Sequence, residues 1–182
     1  METLHKRRAS ATRTAIAVLK VVEGQGTSKI NFQEEKTMNE KIYLAYGSNM
    51  NTEQMALRCP TAKVLGTAVL KDYRLVFRAF ASIEPHEGAE TPVLLWIIKP
   101  LDELALDRYE GYPSHYRKET VEVELDGETV EAMVYVMNPI RPYATPSCYY
   151  YSTILEGYKE FGLDEQYLKD ASDFSAKEGY HA

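Results

Sequence analysis

Two short strings in this chain carry residue types that chemistry could use. The first is Tyr43-Leu44-Ala45-Tyr46-Gly47-Ser48-Asn49-Met50, an apolar run that closes on Gly-Ser-Asn. Gly47 permits close backbone approach and an unusual φ. Ser48 and Asn49 add side-chain donors to the backbone N–H groups that converge where a strand turns into a helix. Such a loop can hold a carboxylate or an oxyanion. The same residues would serve equally in an ordinary strand-to-helix turn with an Asx or Ser cap. The second candidate is Glu110, which follows Leu106-Asp107-Arg108-Tyr109 and precedes Gly111 at an expected helix end. Helix C-termini favour cations, so the macrodipole would raise the pKa of a carboxylate there and make it a better proton acceptor near neutral pH. A solvated surface Glu fits the spacing too.

Other groupings carry less. A Ser48–His115 hydrolase pair would want Gly-x-Ser-x-Gly after a strand, and Met50 stands where the second Gly belongs. His115, between Pro113 and Tyr116, reads as a rim or packing histidine. The Tyr149 to Tyr151 run reads as core and helix face. Cys59 and Cys148 lack metal-ligand spacing and are too few for a disulfide framework, which suits reduced thiols in a cytosol. No metal site is expected.

The elements that must position these strings follow from periodicity and punctuation. Ile42 to Tyr46 reads as a buried strand, residues 47–49 as a tight loop, and a helix begins near Asn51, which can cap it with Gln54 three residues on, before Pro60. Val64 to Leu70 and Tyr73 to Arg78 read as strands, Ser82 to Thr91 as a polar loop containing Pro85 and Gly88, and Val93 to Ile98 as a central strand. Pro100 to Glu110 is an amphipathic helix with Pro at its start and Gly111 at its stop. Tyr116 to Leu125 and Thr129 to Val136 form a hairpin through Asp126-Gly127. After the Pro-rich link from Pro139 to Pro146, Tyr150, Ile154, Tyr158 and Phe161 share a helical face, and Asp164 to Ala171 forms one more helix. Strands dominate and helices are inserted singly, an α+β arrangement around a mixed, closed sheet.

The two strings, in this order and separated by strand-rich sequence, resemble the γ-glutamylcyclotransferase family. Beyond Tyr46-Gly47-Ser48-Asn49 and Leu106-Asp107-x-x-Glu110-Gly111, the family's Pro-Ser-x-x-Tyr stretch matches Pro146-Ser147-Cys148-Tyr149-Tyr150, and its later glycine spacing matches Gly157 and Gly162-Leu163. The resemblance implies a small barrel-like mixed sheet with flanking helices, whose cavity holds a γ-glutamyl group. It further implies intramolecular cyclisation to 5-oxoproline with release of the attached amine, with Glu110 as general acid/base, Tyr46, Gly47, Ser48 and Asn49 as the binding loop, and Tyr150 lining the cavity. A one-residue slip within the tyrosine run would hand the Tyr150 role to a neighbour. No cofactor is required for that chemistry. Where several family members carry a Gly-rich segment, this chain has Glu87-Gly88-Ala89-Glu90-Thr91-Pro92, which leaves the released amine open and shifts the substrate contacts expected there. A non-catalytic module of the same fold, holding a small acidic or amino ligand without turnover, fits the same residues.

Composition narrows the classes further. The 182 residues are 45% hydrophobic, enough for one core. Residues 1–37 hold seven Lys/Arg against four Asp/Glu, leaving 14 against 23 for residues 38–182. An acidic body without a basic stripe offers nothing to a phosphate backbone or an anionic membrane, so neither nucleic-acid nor membrane partners are expected. No stretch approaches the ~20 apolar residues of a membrane span. The Ala15 to Val22 run is interrupted by Lys20 and lacks a clear cleavage site, so a cytoplasmic protein is expected. Residues 1–37 show no sustained periodicity and read as a disordered or non-native extension, with the domain spanning 38–182. Gln33-Glu34-Glu35 is what a purine-rich ribosome-binding sequence spells in frame just upstream of Met38, where translation is expected to begin. Sequence does not fix the oligomeric state.

Overall fold

A computed structural model describes residues 39–139 and 141–180. The expected extension over residues 1–37 lies outside them. Five strands close into a barrel in the order β1-β3-β2-β4-β5, and helices flank it, so the α+β barrel expected from the sequence is the observed fold. The strands are β1 (Lys41–Ala45), β2 (Lys63–Arg78), β3 (Phe80–Ile98), β4 (Tyr116–Leu125) and β5 (Glu128–Met137). The helices are α1 (Thr52–Arg58), α2 (Pro100–Glu110), α3 (Cys148–Glu160) and α4 (Glu165–Tyr180), and a 3-10 turn spans Ser48–Met50. The closing seam is the short parallel pairing of β1 with β5 through Tyr43↔Met133 and Leu44↔Val134; the other neighbours run antiparallel.

The apolar run Val93–Trp96 lies at the centre because β3 pairs there with β1 on one side and β2 on the other. Its side chains are buried with Leu44, Phe77, Val134 and Tyr158 in one core. The Asp126-Gly127 turn adopts φ 52° and 83°, which joins Leu125↔Glu128 in the tight hairpin that the sequence demands. Among the described residues, no helix is long and apolar enough to cross a membrane.

Three expectations change. Ser82 to Thr91 is not a loop but part of β3, because Ala81, Ser82 and Ile83 are buried and pair with Phe77, Val76 and Leu75. The loop-like residues between Pro85 and Glu90 form an irregularity opposite Asp72, whose carboxylate accepts from Gly88 N–H at 2.8 Å. For the same reason, residues 64–70 and 73–78 are one strand, β2, rather than two. The last helix continues to Tyr180, since buried Leu168, Ala171 and Ser175 keep one inward face despite the polar residues between them. Ser175 fits there because its hydroxyl accepts from Phe77 N–H and donates to the Ala171 carbonyl.

Candidate active site

Chain direction reverses at the end of β1. The 3-10 turn is closed by Met50 N–H on the Gly47 carbonyl (2.9 Å) and Asn51 N–H on the Ser48 carbonyl (3.2 Å). The N–H groups that open such a turn have no partner within it. Asn51 then caps α1, its side chain accepting from Gln54 N–H at 3.0 Å. Gly47 needs no left-handed φ, since it sits at −115°. It is glycine for room, because a Cβ there would lie 3.2 Å from the Tyr150 hydroxyl and 3.3 Å from the Ala81 Cβ.

Glu110 is the last residue of α2. The helix starts on Pro100, with the buried Asp102 carboxylate accepting from Lys99 N–H at 3.0 Å. It stops at Gly111, whose φ of 66° and ψ of 37° turn the chain away one residue after the carboxylate. Asn49 joins the two strings. Its Nδ2 donates to Glu110 Oε1 at 2.9 Å and to the Tyr43 hydroxyl at 2.7 Å, while Trp96 Nε1 donates to its backbone carbonyl at 3.1 Å. Ser48 Oγ and the Tyr109 hydroxyl are 3.0 Å apart.

These groups line one cavity of about 350 Å³ that holds Tyr46, Gly47, Ser48, Asn49, Glu110 and Tyr150, every site residue singled out from sequence. That volume suits a small molecule. Glu110 binds its proton until about pH 7, against an ordinary 4.5. Burial is the leading cause, and the Asn49 hydrogen bond and Arg58 pull the other way. The direction is the one expected for a carboxylate at a helix C-terminus, but burial rather than the helix dipole leads it. Tyr43 and Tyr46 are held well above the ordinary phenol range, chiefly by burial and next by the Glu110 charge. Both phenols therefore stay neutral beside a carboxyl that can gain or lose a proton near neutrality.

Tyr150 enters from α3, and its hydroxyl accepts from Ala81 N–H at 3.3 Å while its ring meets Phe80 edge-on at 5.2 Å. Tyr116 donates to the Ala81 carbonyl at 2.9 Å. Phe80, Ala81, Tyr109, Tyr116, Tyr135, Met137 and Arg141 also line the cavity and escaped the sequence reading. A signal existed only for Tyr109, adjacent to Glu110. Phe80 and Ala81 arrive through the one-residue turn at Ala79 (φ 67°), where an Arg-Ala-Phe sequence gives no turn signature. Residues 87–92, expected to shift substrate contacts, are not part of the cavity lining. His115 is at the rim, as expected, but Ser48 Oγ is engaged by Tyr109 and Arg58 rather than by an imidazole. Among the described residues, no group of three or more His, Cys, Asp or Glu is placed to hold a metal.

Known proteins resemble this chain in sequence and fold. The family described as gamma-glutamyl cyclotransferase, AIG2-like, matches residues 43–153, from the strand before the loop to the middle of α3. The gamma-glutamylcyclotransferases of Homo sapiens and Mus musculus are each 30% identical, over 75% and 69% of this chain and 82% and 74% of theirs. A solved gamma-glutamyl cyclotransferase superposes with a TM-score of 0.66 at 29% identity, covering 72% of this chain and 86% of its own. YkqA from Bacillus subtilis shares the fold at a TM-score of 0.63 and 22% identity, over 78% of this chain and 56% of its own. With the matched span holding both the Gly-Ser-Asn turn and Glu110, the chain belongs to the gamma-glutamyl cyclotransferase, AIG2-like family.

Proposed function

We propose that this protein cyclises a γ-glutamyl amide to 5-oxoproline and releases the free amine, with Glu110 as the single general acid/base. The observation that carries this reading is a carboxyl with a pKa of about 7, held by Asn49 against a donor-bearing turn in a small-molecule cavity. The reaction asks for little else. The α-ammonium must lose a proton, the neutral amine must reach the γ-carbonyl carbon, and the oxyanion formed must be stabilised until the C–N bond to the leaving amine breaks.

Glu110, ionised, takes the α-ammonium proton. The amine nitrogen attacks the γ-carbon and closes a five-membered ring, and the carbonyl oxygen becomes an oxyanion facing donors of the 47–49 turn. As the tetrahedral intermediate collapses, Glu110 returns that proton to the leaving nitrogen and, ionised again, relays the second proton of the ring nitrogen to the released amine, which departs as an ammonium. The products are 5-oxoproline and the amine, and the carboxyl ends as it began. A pKa near 7 suits both halves, since the group must accept and give up a proton at similar cost. Nucleophile and electrophile share one molecule, so folding the substrate into the attacking conformer supplies much of the acceleration. The phenols of Tyr46 and Tyr150 shape the pocket for that conformer.

Incubating the protein with a panel of γ-glutamyl amides, whose leaving groups are amino acids, isopeptide lysine and polyamines, tests the reading. Equimolar 5-oxoproline and free amine are expected from at least one. Glutamate in place of 5-oxoproline would show hydrolysis instead, and saturable binding without either product would make the domain a binding module.

A further inference from the structure

Arg58 touches both halves of the site without lining the cavity. It stands in the last turn of α1, and Nη2 donates to Gln54 Oε1 at 2.8 Å one turn back, which fixes the plane of the fork. Nη1 reaches Asn49 Oδ1 at 2.6 Å and Ser48 Oγ at 3.3 Å. The guanidinium carbon lies 3.7 Å from the centre of the Tyr109 ring. A cation at the end of a short helix would be explained by the dipole alone, but the dipole does not account for a fork aimed at a side-chain amide.

The chemistry of that amide gives the contact its meaning. Asn49 has one acceptor end and one donor end with two hydrogens. Guanidinium only donates, so Oδ1 must face Arg58. Nδ2 is thereby turned inward, where its two hydrogens serve Tyr43 and Glu110. Without Arg58 the amide is free to flip. Oδ1 would then face Glu110, repelling the carboxylate and accepting from the protonated acid, and the loss of the positive charge acts in the same direction.

We infer that Arg58 is a positioning residue that locks the Asn49 amide with its donor end on Glu110 and so sets the pH at which the catalytic carboxyl ionises. The inference rests on the reading of Glu110 as the acid/base. Other titratable or charged groups facing Glu110 are Tyr43 from β1, Tyr46, Tyr109, Tyr116 from β4, Tyr135 from β5 and Tyr150 from α3, with His115 and Arg141 on the same cavity. The shifted tyrosines among them are pushed upward, chiefly by burial, and stay neutral through the range of interest.

The test is the pH profile of kcat/KM for 5-oxoproline release by the full chain. Arg58→Met should move the acid limb upward by about 1 to 2 pH units, the size of a lost hydrogen bond to a charged group, cutting the rate at pH 6 by about 10- to 100-fold. At pH above the new limb most of the rate should return. Arg58→Lys, which keeps the charge and one donor for Oδ1, should bring the limb back toward wild type. If Arg58→Met does not fold, Arg58→Leu, which likewise has no donor for Oδ1, carries the same upward shift. A residue that only supported the fold would lower thermal stability and active fraction with the limb in place, and an unmoved limb in a folded variant overturns the proposal. Glu110→Gln run alongside separates the two readings. If it is dead while the Arg58 limb stays put, the positioning role fails and the acid/base reading stands. If it is active, the acid/base reading itself fails.

Discussion

At the scale of single residues, the carboxyl of Glu110 makes the site chemically distinctive and also weakens the fold. Its folded pKa of about 7 lies above the ordinary 4.5 because the cavity disfavours the charge. The sign follows from linkage. The unfolded chain ionises this group from pH 4.5 upward while the folded chain resists until about 7, so the contribution of Glu110 to stability is greatest below 4.5, falls across that window and levels off above it. The loss is at most about 3 kcal/mol, and less where solvent in the open cavity screens the charge. Glu110→Gln has no charge to bury and its Oε1 can still accept from Asn49. Urea unfolding of the variant should match wild type near pH 4 and exceed it by about 2 to 3 kcal/mol at pH 8; parallel stability curves would mean that Glu110 is not buried as a charge. Both Glu110 and the Gly-Ser-Asn turn were legible in the sequence because each is local: a helix stop and a strand-to-helix turn. Phe80, Tyr116 and Tyr135 were not, because their roles exist only once distant elements meet around the cavity, and Arg58 was not, because a basic residue in the last turn of a helix is already accounted for by the dipole.

At the scale of elements, the turn that carries Ser48 and Asn49 is held from behind by α3. Gly157 sits where the helix crosses the turn, and an added Cβ would lie 2.8 Å from the Met50 carbonyl carbon and oxygen and 2.9 Å from the Met50 Cβ. Two effects of Gly157→Ala oppose each other. Alanine favours the helix by about 1 kcal/mol, whereas overpacking costs typically 1–3 kcal/mol. The clash should win because its partner is backbone and cannot rotate away. The variant should lose about 1 to 2 kcal/mol in urea unfolding and also lose kcat/KM, since relief of the clash displaces the turn; gained stability with unchanged kinetics would show that the crossing is loose. The β4–β5 hairpin, α3 and the start of α4 were legible because each presents one apolar face or a strong turn signal, and α1 through its Asn51 cap, whereas α2 was legible only through Pro100 and Gly111, since Leu101 and Leu104, at helical spacing, are exposed while Asp102 and Leu106 are buried. Periodicity missed the outer half of β3, where Pro85, Gly88 and four charged or imidazole side chains between Glu84 and Glu90 face outward over the bulge. Strand pairing there is dictated by three buried residues, Ala81, Ser82 and Ile83.

At the scale of the whole molecule, barrel closure is complete between Lys41 and Met137, and each described strand has its neighbours within that span. A chain beginning at Met38 is therefore expected to melt within a few degrees of the full chain and to keep its turnover; a larger fall in Tm would give residues 1–37 a structural role. The closed sheet itself was legible only as a class. The parallel seam of β1 against β5 rests on two residue pairs, too few to leave a pattern in sequence. What the barrel accomplishes is to bring β1's turn and the end of α2, 61 positions apart, within 2.9 Å through Asn49 and Glu110. The measurement that bears most directly on that arrangement is the rate of 5-oxoproline release by Glu110→Gln beside wild type, on the best substrate of the γ-glutamyl panel, with substrate affinity measured in parallel. General acid–base groups contribute about 10²- to 10⁴-fold, so kcat should fall by that order while affinity changes far less. Turnover by Glu110→Gln near the wild-type rate would contradict the account.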